Sequence, residues 1–218
     1  MIIKMLQRAM AFLVVIGMVM QSIMCEKQST PITIRLATKD DIPACVRITR
    51  QVYTTIYKPL ESVYSDEQWQ EWLDELNDPS DVFFLYTSQL LVAETADKKI
   101  VGCVMVAPFS LPDVSEFMRN TLPLNFDLLA QRFHGSAAYV FRLYVNENYR
   151  GSGIGKKLLQ ASVEFFGPVE KMYLDTLVLN TNAMSFYKYL GFVEEYERRV
   201  SAGDGQVVVL SINTNQLQ

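Results

Sequence analysis

Arg150-Gly151-Ser152-Gly153-Ile154-Gly155 lies between an apolar run, Ala138 to Val145, and a stretch that sets Ile154, Leu158, Ala161 and Phe165 at helical spacing. The run reads as a strand, and the stretch as the inner face of a helix reaching about Phe166. The glycines therefore fall at a strand-to-helix turn. Three glycines within five residues let backbone N–H groups converge on an anion. The helix N-terminus adds partial positive charge, and Arg150, Lys156 and Lys157 supply cations that match a diphosphate. Two familiar phosphate loops do not fit. A Walker loop needs four residues between its glycines and a Ser or Thr after its lysine, whereas three residues separate Gly151 from Gly155, and Lys157 follows Lys156. The dinucleotide fingerprint G-x-G-x-x-G fails because the third glycine arrives one residue early. A glycine turn that binds nothing is the plain alternative.

Around this turn the chain alternates strands and helices. Ile32 to Leu36 alternates apolar and polar residues, as a half-buried strand does. Thr38, with Asp41 three positions later, forms a variant capping box. It opens a helix that carries Ile42, Cys45, Ile48, Val52 and Ile56 on one face. A second helix is expected from Ser65, with Trp69, Trp72, Leu73 and Leu76 on its core side. The runs 82–94 and 99–107 form an antiparallel hairpin around Thr95-Ala96-Asp97-Lys98. The proline-interrupted segment 108–137 is expected to hold one or two short helices. Beyond the turn come a strand at 172–179 and a helix at 182–190 stopped by Gly191. A closing hairpin follows, 192–200 with 206–212, around Gly203-Asp204-Gly205.

Composition narrows the chemistry. Half of the 218 residues are hydrophobic and 20% are charged, which suits one ordinary globular domain. A net charge of -4 without a basic cluster argues against a nucleic-acid partner and mildly favours a cationic acceptor. Cys25, Cys45 and Cys103 have no metal-ligand spacing, and with the single His134 they offer no zinc set, so no metal is expected. An odd, scattered set of cysteines suits a reducing compartment.

Residues 1–30 form a hydrophobic extension to a domain at 31–214. Lys4 and Arg8 precede an apolar run from Ala9 to Met20 that resembles a signal peptide but lacks an A-x-A cleavage site. It is short for a membrane span. Three readings stay open: a mis-assigned start with translation beginning at Met24, a membrane anchor through residues 1–25, or an export signal. A cytoplasmic location is expected, with membrane anchoring as the alternative.

The phosphate turn resembles the R/Q-x-x-G-x-G/A signature of the GCN5-related N-acetyltransferase (GNAT) family, here Arg150, Gly153 and Gly155. Leu143-Tyr144-Val145 and the link Asn146 to Tyr149 precede it as in that family. Downstream, Asn182, Ala183, Phe186, Tyr187 and Leu190-Gly191-Phe192 look like its N-x-x-A-x-x-F/L-Y-x-x-x-G-F pattern. Element order extends the resemblance over most of 31–214.

The resemblance implies an α/β fold: a mostly antiparallel mixed sheet of about seven strands, splayed at a parallel pair and flanked by about four helices. It implies acetyl-CoA as cosubstrate and direct acetyl transfer to a primary amine within a ternary complex. Leu143 and Val145 would pair with the pantetheine arm, Val145 N–H would polarise the thioester carbonyl, and the amides of Gly151, Ser152, Gly153, Ile154, Gly155 and Lys156 would hold the pyrophosphate. Tyr187 takes the place of the general acid, and Asn182 that of a pantetheine contact or helix cap. The glutamate base common in the family has no counterpart in 138–145. Asp175 is the alternative base, if it is not simply paired with Arg142. His134 and a bare water path are further options. The acceptor is expected to be a small amine, with a protein lysine or N-terminus as the enzymatic alternative. A non-catalytic acyl-CoA sensor is the reading from another class, and a homodimer is compatible with all of them.

Overall fold

The structure is a computed structural model and describes residues 31–52, 54–55, 89–108, 137–167, 169–199 and 206–217. The N-terminal extension, the helix expected from Ser65, the first part of the 82–94 run, the 203–205 turn, and all of 108–137 but its ends, with His134, lie outside these residues.

Among the described residues seven strands form one sheet: β1 Ile32–Leu36, β2 Leu90–Thr95, β3 Ile100–Pro108, β4 Ala137–Val145, β5 Lys171–Leu177, β6 Val193–Arg199 and β7 Gln206–Asn213. Their order is β1-β2-β3-β4-β5-β7-β6, and every neighbouring pair is antiparallel except β4 and β5. Helix α1 (Ile42–Val52) packs Ile42, Cys45 and Ile48 with Leu90, Val92, Cys103 and Met105 on one face. Helices α2 (Ile154–Phe165) and α3 (Thr181–Leu190) cover the other face, where Leu158, Leu159, Tyr187 and Leu190 meet Val104, Met172, Leu174, Val208 and Leu210. Both faces of β2 and β3 are therefore buried, which suits the unbroken apolar runs Leu90 to Ala93 and Ile100 to Ala107.

The start of the domain is held by charge. Asp41 accepts hydrogen bonds from the backbone N–H and hydroxyl of Thr38, completing the expected capping box, although its first turn is a short 3-10 segment, Lys39–Asp41. Arg35 grips the same carboxylate with two donors, at 2.8 and 2.9 Å, and reaches Glu94 on β2 at 2.9 Å.

The parallel pair decides the shape of the centre. β4 and β5 are in register only at Ala137 with Lys171, Ala138 with Met172 and Tyr139 with Tyr173. Beyond those pairs β4 stays on β3 as far as Val145, and β5 stays on β7 as far as Leu177. The two strands thus part, and the sheet forks above Tyr139 and Tyr173.

A bulge lies at the same level. Ala138 and Val140 face the helices α2 and α3, and so do Leu143 and Val145, while Phe141 and Tyr144 face α1. Strict alternation would set 140 and 143 on opposite faces. The register absorbs the extra residue, because Met105 pairs with Arg142 while Val106 pairs with Val140. A bulge bends its strand and raises the local twist, which turns β4 away from β5.

Candidate active site

Among the described residues, no strand pairs with the fork-side edge of β4 beyond Tyr139. Asn146 donates its N–H to Val101 on β3 at 2.9 Å. Peptide groups alternate sides along an extended strand, so Tyr144 also turns toward β3, while the N–H groups of Leu143 and Val145 turn into the fork. The carbonyl of Val145 accepts from Arg150 Nε at 3.1 Å, which draws the glycine turn against the end of β4. One further guanidinium nitrogen of Arg150, Nη2, is buried without a protein partner.

The turn itself has the geometry an anion site needs. Gly151 and Gly153 have φ of 75° and 80°, conformations that L side chains adopt only with strain. Gly153 is the N-cap of α2 and offers no side chain to cap it. The first bond into the helix is Lys157 N–H to Gly153 C=O at 3.0 Å. The helix therefore gives no partner to the N–H groups of Ile154, Gly155 and Lys156, which point out of its positive end. Gly151, Ser152, Gly153, Lys156 and Lys157 are exposed, and the Ser152 hydroxyl bonds the Tyr149 carbonyl. These features fit a diphosphate.

Gly155 has a different local reason. Its φ is unremarkable, but a Cβ there would stand 2.9 Å from Phe186 Cζ. The third glycine allows close approach of α3, where the first two allow the turn.

At the fork itself, Tyr139 on β4 donates its phenol hydrogen to Asp175 Oδ1 on β5. Asp175 therefore takes its hydrogen bond from a phenol on the neighbouring strand, where the sequence pointed to Arg142. Tyr139 is fully buried and sets its ring edge-on to Phe141 at 5.4 Å. Asp175 sits deep in the molecule, yet its residue surface is not sealed. Burial pushes its carboxyl above the ordinary carboxylate range, while the Tyr139 hydrogen bond pulls the other way.

Tyr187, 8% exposed, packs between Phe186 and Phe192, each ring 5.3 Å away. Burial raises its phenol above the usual range, and the negative charge of Asp175 raises it further. The carboxylate and the phenol thus feel one another across the fork.

Asn182 needs correcting as a cap. Helix α3 begins at Thr181, and its N-cap is Asn180, whose side chain accepts from Ala183 N–H at 3.2 Å. Asn182 is exposed in the first turn, whereas Asn180 is 7% exposed. The signal was present in the sequence, since Asn180 is the asparagine three residues before Ala183 that the quoted pattern requires. Among the described residues no group of three or more His, Cys, Asp or Glu side chains could hold a metal ion. No helix among them is long and apolar enough to cross a membrane.

A splayed parallel pair beside a glycine turn on a helix N-terminus is the arrangement that the resemblance implies for an acyl-CoA-dependent transferase. The model of the acetyltransferase (GNAT) family matches residues 49–192, and the chain belongs to that family of acetyl-CoA-dependent acyltransferases. An N-alpha-acetyltransferase of Sulfurisphaera tokodaii is 34% identical over 124 residues, 56% of this chain and 66% of that protein. N-alpha-acetyltransferase 30 of Schizosaccharomyces pombe is 43% identical over 56 residues, 25% of this chain and 37% of that protein. The chain thus spans under two thirds of the length of these relatives. The crystal structure of the PaiA N-acetyltransferase of Thermoplasma acidophilum in complex with coenzyme A is 18% identical. It covers 84% of this chain and 99% of its own with a TM-score of 0.60, which shows a shared fold.

Proposed function

We propose that this protein transfers the acetyl group of acetyl-CoA to a primary amine, with Asp175 as base and Tyr187 as acid. The observation that carries the reading is the fork-side edge of β4 at Leu143 and Val145, with Arg150 of the phosphate turn bonded at one end and Asp175 bonded to Tyr139 at the other. Peptide donors fixed along such an edge bind an amide-bearing arm as a further strand would. A donor aimed at a developing oxyanion is among the larger catalytic contributions.

The bound thioester supplies an activated acyl carbon and a thiolate leaving group. Asp175 accepts the proton that the amine nitrogen sheds as its lone pair forms the N–C bond. Tyr187 gives its proton to the sulfur as the C–S bond breaks. The order of these steps follows from their electrostatics. While Asp175 is ionised, its charge opposes formation of the Tyr187 phenolate. Once Asp175 has taken the amine proton that opposition is gone, and Tyr187 becomes the better acid. Proton return from Asp175 through solvent resets the pair.

The acceptor is an amine of one of two classes. The two relatives named N-alpha-acetyltransferases favour the α-amine of a polypeptide over the small amine expected from sequence. The test is release of free thiol from acetyl-CoA across three acceptor sets: peptides with a free N-terminus, the same peptides with a blocked N-terminus and one lysine, and small amines including polyamines. Turnover confined to free N-termini supports the α-amine reading, and turnover confined to polyamines reverts it to a small substrate. Binding of acetyl-CoA without turnover on any set would replace the enzyme with an acyl-CoA sensor.

A further inference from the structure

We propose that Gly155 is a positioning residue for Tyr187, acting through the ring of Phe186. The inference rests on the reading of Tyr187 as the acid. The phosphate turn and the acid lie on different helices, α2 and α3. Phe186 joins them, being the residue beside Tyr187 on α3 and the ring that abuts Gly155 on α2.

The ring meets Gly155 end-on. From the place a Cβ would occupy, Phe186 Cζ lies at 2.9 Å and its two Cε atoms at 3.4 and 3.6 Å. Cζ lies on the χ2 axis, so turning the ring about χ2 does not move it. Relief comes from a change in χ1, which a helix restricts, or from α3 and α2 moving apart. Either motion reaches Tyr187, whose ring packs against Phe186 on one side and Phe192 on the other at 5.3 Å each. The Phe192 N–H also bonds the Tyr187 carbonyl at 3.0 Å, so the far end of the helix gives little room.

The position is a clean one to perturb. Gly155 has no positive φ, unlike Gly151 and Gly153, so alanine is admissible in its backbone. Alanine also favours a helix over glycine, and it keeps the N–H offered to the pyrophosphate. An effect of Gly155→Ala therefore reports the ring contact rather than a broken turn.

The experiment compares Gly155→Ala, Phe186→Leu and the double variant by kinetics and by NMR of protein carrying 13Cζ-tyrosine. Tyr187→Phe assigns the Tyr187 resonance by its absence. Gly155→Ala is expected to move that resonance and to lower kcat by about 10- to 100-fold, the scale set by an ångström of misplacement, with KM for acetyl-CoA little changed. Adding Phe186→Leu, which removes the end of the ring, is expected to return the resonance and most of kcat. A Tyr187 resonance that stays in place in Gly155→Ala overturns the proposal. So does a raised KM for acetyl-CoA at unchanged kcat, because the glycine would then serve the phosphate alone. A resonance that moves and is rescued, while Tyr187→Phe keeps full turnover, supports the coupling and removes the acid assignment.

Discussion

Two aspartates in this protein occupy opposite electrostatic situations. Asp41, where the chain enters its first helix, receives two donors from Arg35 and two from Thr38. The Arg35 guanidinium, more than any other group, holds its carboxyl down at about 2. Asp175, at the fork, has one phenol for a side-chain donor, and burial pushes its carboxyl up. A charge surrounded by partners holds a fold together. A charge kept short of partners in a cleft costs stability, and such a cost persists where the group is needed for chemistry.

The sharpest way to break this contrast is Asp175→Asn. If Asp175 is the base, kcat/KM for the amine falls by about 10²- to 10⁴-fold. The same substitution is expected to raise Tm at neutral pH. A carboxyl whose folded pKa is raised contributes its full stability below the unfolded value of 3.8 and loses it as pH rises through the folded value, and asparagine carries no such loss. An Asp175→Asn protein that is fully active, or less stable at pH 7 than the parent, would make Asp175 a second Asp41.

Tyr187→Phe comes next, at about 100-fold in kcat, near the low end for acid catalysis because a thiolate is already a good leaving group. Removing the hydroxyl leaves the packing with Phe186 and Phe192 in place, so Tm should hardly move. Asp41→Asn is the mirror image. It should lose about 2 kcal/mol through the broken charge-assisted bonds while the folded protein keeps its kcat/KM. That loss is present above the unfolded pKa of 3.8 and fades as pH falls through about 2, since a depressed carboxyl stabilises only while ionised. Urea midpoints at pH 6 and pH 2 check it.

How far the sequence foretold these two sites follows from how local each is. The Asp41 corner was legible, because a capping box is written within four residues, although Arg35 and Glu94 reach it only through the β1–β2 pairing. The glycine turn was legible for the same reason. Its third glycine serves a contact the sequence does not show, since Phe186 lies thirty-one positions away and nothing near Gly155 announces it. The fork was not readable as such. Ala138 to Val145 is apolar but for Arg142, so its bulge at Phe141 and its departure from β5 cannot be read from the periodicity. The strand expected at 172–179 ends at Leu177 because Leu177 and Asn180 close a turn into α3, with Asn180 N–H on Leu177 C=O at 2.9 Å. Tyr139 reads in sequence as one more aromatic of that run, although its phenol bridges β4 to Asp175 on β5.

Tyr139→Phe is the finest test of the comparison, because it moves Asp175 further from Asp41 without touching its charge. The ring remains and keeps its packing on Phe141, so the cleft keeps its shape. The hydrogen bond that favours the ionised carboxyl is lost, and burial then acts on Asp175 unopposed by it. The folded pKa must rise, and with it the acid limb of the kcat/KM profile, since the base works only when ionised. Stability near neutral pH should fall by about 1 kcal/mol, the usual worth of one such bond. As pH rises and Asp175 ionises even without its phenol, the variant should approach parental turnover. An acid limb that stays where it was would mean that Tyr139 does not govern the ionisation of Asp175. A loss of turnover equal at every pH would mean that the phenol handles the acceptor itself. Only a loss confined to low pH leaves Tyr139 as the group that holds a reluctant carboxylate in its working form.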